Sequence, residues 1–216
     1  MQKIGIGFSI FLIVLCIFIA NIHAYSESEQ IIVIDAGHGG MDGGASIGSI
    51  KESILTLQIA KKLQEVCETS GLKVIMTRTE DISLNEGEFV KREDMVNRVK
   101  IINSSNAELA ISIHLNKFSI PKYRGAQVFY SKSNQQNELL ANMVQKSLGF
   151  YLGNTERNIV LRDNVFLLNK VVIPCCIVEC GFMSNSEELF LLQTEEYQYK
   201  VVNSILYAIS DFLRLY

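Results

Sequence analysis

Residues 31–53 read IIVIDAGHGGMDGGASIGSIKES, and three kinds of chain follow one another in them. Residues 31–35 are an apolar run closed by an acid, the pattern of a buried strand feeding a functional loop. Six of the chain's fourteen glycines come next, at 37, 39, 40, 43, 44 and 48, around one of its three histidines, His38. From Glu52 the spacing changes to Leu55, Ile59, Leu63, Val66 and Cys67, the beat of an amphipathic helix that stops at Ser70-Gly71. LKVIMTR, residues 72–78, returns to a strand. Strand, loop, helix and strand in that order begin an α/β domain around a largely parallel sheet.

The rest of the chain keeps the alternation. Met95, Val96, Val99 and Ile102 mark a helix that ends near Asn103-Ser104-Ser105. In ELAISIHLN, residues 108–116, Leu109, Ile111 and Ile113 alternate with Ala110 and Ser112, so a strand presents His114 at its end. RGAQVFYS (124–131) reads as a strand, and Leu140, Met143, Val144 and Ser147 mark the helix after it. NVFLL (164–168) and IPCCIVECGF (173–182) read as the last two strands. Asn185 with Glu188 makes a capping box, and residues 197–213 a closing helix. The fold class expected is α/β: a single domain with a mostly parallel, twisted sheet flanked by helices.

At 216 residues and 48% hydrophobic composition, the chain suits one well-cored domain and is short for two. A net charge of −3 with scattered Lys and Arg excludes the basic surface that nucleic acid requires. Lys3 followed by an apolar run over residues 4–20 reads as an export signal. The domain plan is therefore a signal peptide or N-terminal membrane anchor over 1–24, a linker over 25–30 and one folded domain over 31–216. Ile22-His23-Ala24 is a passable cleavage site, and Leu15 before Cys16 argues against lipidation. Cys67, Cys175, Cys176 and Cys180 fit no zinc ribbon, and adjacent Cys175 and Cys176 point to opposite faces of a strand. Buried free thiols are the expectation.

Sites in open α/β sheets form beyond the carboxyl ends of the strands. His38 follows the first strand, His114 and Glu179 end two others, and Glu52 opens the first helix beside the glycine loop. A catalytic zinc commonly takes two imidazoles and a carboxylate, keeps a position for water, and works with a nearby carboxylate base. His38, Glu52 and His114 suit the ligand role, and Glu179 suits the base. Glycines around His38 let the backbone turn sharply and keep the metal's open face accessible, while Asp35 or Asp42 can orient an imidazole. Each position has an ordinary reading too. A lone histidine at a strand end is more often structural, and an acid in a first helical turn complements the dipole. Glu179, after a buried run, needs a partner or a purpose.

Other chemistries fail on context. GASIG (44–48) matches G-x-S-x-G, but a glycine loop rather than a strand precedes Ser46. Cys180 near His114 lacks a distinctive oxyanion arrangement. Neither a nucleotide-binding glycine register nor H-E-x-x-H is present.

IDAGHGG, KES, ISIHLN and IVECGF with Ser184-Asn185 resemble, in order and spacing, the zinc-dependent N-acetylmuramoyl-L-alanine amidases of the type 3 family. The likeness runs from about residue 31 to the C-terminus. It implies a six-stranded α/β domain with one Zn2+ per chain, ligands at His38, Glu52 and His114, and a catalytic glutamate at Glu179. It further implies cleavage of the amide between the lactyl group of N-acetylmuramic acid and L-alanine of the peptidoglycan stem peptide. The overall texture is nearest to members acting in the spore cortex, where stem-peptide removal is the first step toward muramic-δ-lactam. That subgroup implies an extracytoplasmic enzyme, secreted or membrane-anchored, in the forespore intermembrane space, with peptidoglycan as substrate. It also makes an exported accessory lipoprotein that promotes zinc binding a candidate partner. Ala36 stands where many members have proline, and Cys180 where many have valine. Between Asn164 and Glu179 there is no room for the regulatory helix of cell-division members. Asn116 and Arg98 are expected as contacts to the substrate or behind the ligands, against the ordinary readings of a turn-capping Asn and a solvated helix Arg, and Arg157 as a contact to a stem-peptide carboxylate. Another extracytoplasmic zinc amidase or peptidase, or a non-catalytic wall-binding protein, remains the alternative.

Overall fold

The computed structural model describes residues 29–215. The segment read as signal or anchor, Cys16 within it, and most of the linker lie outside the described residues. The sheet is built from β1 (Ile31–Ala36), β4 (Lys73–Met76), β5 (Leu109–Asn116), β6 (Gln127–Tyr130), β7 (Val160–Leu161) and β8 (Cys175–Phe182). Its order is β4-β1-β5-β8-β6-β7. The first four of these run parallel, β6 is antiparallel to β8, and β7 is parallel to β6. A two-residue ribbon, β2 (Ser46–Ile47) and β3 (Ile50–Lys51), stands apart and closes the glycine loop.

Strand parity sorts the core. Ile32, Ile34 and Ala36 of β1 and Leu109, Ile111, Ile113 and Leu115 of β5 face one side. There they pack under α1 (Glu52–Thr69), α3 (Asn137–Leu152) and α6 (Glu195–Leu213). The opposite side is smaller: Val33, Ala110, Cys175 and Ile177 meet Ile102 of α2 (Lys91–Asn103) and Leu167 and Leu168 of α4 (Phe166–Lys170). Continuing the same parity toward the carboxyl ends gives Asp35, Ser112, His114 and Glu179. One face of the sheet thus turns from apolar to polar along its strands, and the site lies on that face.

Two expectations need correction. NVFLL is not a strand, because Leu167 and Leu168 are both buried and join Val171 in one cluster. Neighbours on a strand face opposite ways, whereas a helical turn packs all three on one side. The sixth strand is β7, two residues long and missed in the sequence. Glu179 also does not end its strand: β8 continues to Phe182. His114 pairs with Glu179 and Asn116 with Phe182, so β8 carries one extra residue between them, a bulge just past the carboxylate.

The capping box forms by half. Asn185 accepts from the Glu188 amide at the start of α5 (Ser186–Leu192). The Glu188 carboxylate accepts instead from the amides of Gly125 and Phe182, at 2.9 and 2.8 Å, and ties α5 to the end of β8.

Candidate active site

The glycine loop carries His38 in a left-handed conformation, φ 59°, which non-glycine residues rarely adopt. Its backbone is held from below by two arginines, each only 2% exposed. Arg78 donates to the carbonyls of Ala36 (2.9 Å), Gly37 (2.8 Å) and Ser53 (2.8 Å). Arg98 donates to the carbonyls of Ala36 (2.7 Å) and His38, to Asp35 (2.8 Å) and to Asp94 (2.8 Å). Three consecutive loop carbonyls are therefore fixed by guanidinium groups. Such charge-assisted bonds are the stronger kind, and they maintain a backbone that local sterics disfavour.

Above this support, Glu52 lies between two imidazoles. Its Oε1 is 3.2 Å from His38 Nε2 and 3.1 Å from His114 Nδ1. The same oxygen accepts from the Leu115 amide at 3.0 Å, and Oε2 accepts from the Ala45 amide at 2.8 Å. Burial pushes the Glu52 carboxyl upward, but the two imidazoles outweigh it and hold the group well below the usual carboxylate range. Burial lowers the His114 pKa, and hydrogen bonding to Glu52 with the charges of Glu179 and Glu52 raises it overall. One donor atom from each of the three residues falls within 4.8 Å of the others. A tetrahedral ion with bonds of about 2.0–2.1 Å needs donors roughly 3.3 Å apart. The Glu52-to-imidazole separations match that span, and two imidazoles with one carboxylate are a common zinc set, so the residues fit the ion.

Glu179 stands beside this group through its pairing with His114. Its Oε2 is buried without a hydrogen-bond partner. Burial, reinforced by the Glu52 charge, raises its pKa to about 7 against the pull of His114 and His38. A carboxyl poised there can take and return a proton near neutrality.

Two glycines explain the density of bare backbone. A Cβ on Gly37 would lie 2.4 Å from His114 Cε1, and one on Gly44 would lie 2.6 Å from Glu52 Oε2 and 2.7 Å from His38 Cδ2. The room they leave is taken by the site's own side chains, the clash that the sharply turning loop has to avoid.

The outer residues divide. Asp42 Oδ2 is 3.0 Å from His38 Nδ1, close enough for an ion pair though off the line of a ring N–H bond, and 3.3 Å from Lys91 Nζ. Asp35 touches no imidazole: Arg98, Thr77 (2.7 Å) and Ser112 (2.6 Å) occupy its oxygens. Arg98 is too buried for a substrate contact and is a support of the loop. Asn116 and Arg157 line a groove of about 280 Å³ on the same sheet face. Sequence reading missed Arg78, although a basic residue just after a strand beside β1 was a usable signal. Cys180 is fully buried against the other core, with its thiol pushed well up by burial, and is no nucleophile. Ser46 lies exposed in the ribbon, not in a strand-to-helix elbow. The four described cysteines are free and buried.

The family model described as N-acetylmuramoyl-L-alanine amidase matches residues 32–211. This chain belongs to that family. It is an N-acetylmuramoyl-L-alanine amidase, a hydrolase of the peptidoglycan amide. It is 42% identical over 183 residues to the germination-specific N-acetylmuramoyl-L-alanine amidase of Bacillus subtilis, covering 82% of this chain and 77% of that one. Its fold superposes with a TM-score of 0.82 on the CwlD amidase of Clostridioides difficile, solved in complex with the GerS lipoprotein. That pair shares 39% identity over 87% of this chain and 100% of the other. The catalytic domain of CwlV from Paenibacillus polymyxa gives a TM-score of 0.75 at 28% identity, covering 87% and 99%.

Proposed function

We propose that His38, Glu52 and His114 hold one zinc ion and that Glu179 transfers the proton in hydrolysis of the lactyl–L-alanine amide. When bound, zinc would supply a Lewis acid for the lactyl carbonyl and lower the pKa of water toward about 7. Glu52 keeps both imidazoles aimed at one point, and Asp42 backs His38 from its far nitrogen. Glu179 takes the proton of the attacking water and returns it to the departing alanine amine. The single observation that carries this reading is the buried, unpartnered Oε2 of Glu179 beside the three donors. Replacing Glu179 with Gln should lower the release of stem peptides beginning with L-alanine by about 10²–10⁴-fold, with metal stoichiometry unchanged. Mass spectrometry of digested peptidoglycan and elemental analysis read the two quantities, and a variant with ordinary turnover overturns the assignment.

The chain acts outside the cytoplasm, in the spore cortex, on stem peptides whose removal precedes muramic-δ-lactam. The 42% identity to the germination-specific relative supports this stage. An exported lipoprotein promotes its zinc binding, a reading supported by the lipoprotein complex of the CwlD neighbour. Stoichiometric zinc and full turnover by the isolated chain after dialysis would show that no such partner is required.

A further inference from the structure

A second feature of the site face is not used in the proton transfer. Beyond Glu179 the sheet continues through β6 to the edge strand β7, and the groove of about 280 Å³ follows that direction. Gln127 of β6 pairs directly with Glu179, and Phe129 with Ile177, so both lie on the face that carries the carboxylate. Arg162 follows β7 and places its guanidinium 4.8 Å over the Phe129 ring. Arg157 crosses the Phe182 ring at 4.8 Å and is pinned by the Arg124 carbonyl (2.9 Å) and Gln127 Oε1 (3.4 Å).

Three properties set the groove apart. No carboxylate stands among its lining residues, in a chain whose net charge is −3. Among the described residues the Arg162 guanidinium makes no hydrogen bond and no ion pair, its charge reaching Glu179 only at a distance, and the Arg157 Nη2 edge is likewise open. Both cations rest on aromatic rings, which fixes planar guanidinium groups while leaving their N–H edges to a ligand. Two positive charges on an aromatic floor, with no acid in the wall, suit an anionic ligand.

Distance then selects the part of the substrate. Adjacent strands lie about 4.8 Å apart, so two strand steps place β7 roughly 10 Å from Glu179. A peptide spans at most about 3.5 Å per residue, so a chain leaving Glu179 reaches Arg162 within its first three residues. We propose that Arg162 and Arg157 bind a carboxylate of the departing stem peptide, the free acid carried by its second residue, and make the enzyme selective for that acid over its amide. This rests on the amidase reading above, since the peptide side of the scissile bond must lie toward β6 and β7.

The test uses the full-length chain and two synthetic peptides, L-alanyl-γ-D-glutamyl-L-lysine amide with a free glutamate α-carboxylate and the same peptide with that carboxylate amidated. Binding is measured by calorimetry for the wild-type chain and for Arg162→Ala, with thermal unfolding to check that the variant is folded. The acid should bind at least about ten-fold more tightly than the amide, a difference of about 1.4 kcal/mol, and Arg162→Ala should bring the two together. With muropeptide substrates, the same variant should raise KM for the acid form while kcat stays within about two-fold. Should Arg162→Ala misfold, Arg162→Gln and Arg157→Gln give the same comparison. Equal affinities, absent binding of both peptides, or selectivity that survives in the variants would overturn the groove assignment. A chain that selects the acid peptide but cuts no muropeptide would keep the groove and refute the amidase reading. One that cuts both forms equally would do the reverse.

Discussion

Glu179, whose Oε2 is buried, and Glu52, buried between two imidazoles, have pKa values that move in opposite directions. Burial raises Glu179 to about 7. Its contribution to stability is complete below the ordinary carboxylate value and is lost as pH rises through the folded value. Glu52 is depressed by its two imidazoles, so its contribution is present above the ordinary value and fades in acid. In metal-free protein, Glu179→Gln should therefore gain Tm relative to wild type by a few °C between pH 5 and pH 8. A difference between the two proteins that does not change with pH would contradict this. Gly37 offers a steric counterpart. Gly37→Ala puts a methyl 2.4 Å from the His114 ring, and overpacking of this kind costs about 1–3 kcal/mol. The expected result is a lower urea midpoint together with at least a ten-fold weaker metal affinity. Unchanged metal affinity in competition with a chelator would mean that the loop yields instead.

At the level of elements, α2 shows where sequence patterning misleads. Of the apolar residues that mark it, Ile102 is buried and Met95 and Val99 pack on the same core, but Val96 is 44% exposed, and the buried edge is completed by Asp94 and Arg98. Charged residues point inward because Arg98 bridges Asp35 on β1, Asp94 on its own helix and the carbonyl of His38. A single sequence cannot distinguish such a guanidinium from one on a solvated helix face, since the partners come from distant segments. The four central polar residues were legible for the opposite reason. Each stands where apolar periodicity breaks off, at or near a strand end or a helix start. Arg98→Met should cost about 3–5 kcal/mol, because two buried carboxylates lose their counter-charge. Denaturant unfolding measures it, and a loss below 1 kcal/mol would show that the aspartates protonate or find other donors.

Across the whole molecule, the parallel core and its flanking helices followed from alternation alone, while the edge did not. β7 has two residues and α4 five, too few for either period to register. The free thiols Cys67, Cys175, Cys176 and Cys180 are dispersed in the two cores, so a reductant should leave the Tm unchanged, and a fall on reduction would reveal a bridge. The sheet order has a kinetic consequence. β5 enters between β1 and β8, whose pairing segments begin about seventy residues before and after it in sequence. Such long-range closures slow folding toward the millisecond-to-second range. His38 and Glu52 come together within one strand–loop–helix segment, whereas His114 joins them through the pairing of β5 with β1. An ion held by the proposed ligands would therefore find only two of its three donors in a chain whose β5 has not paired with β1.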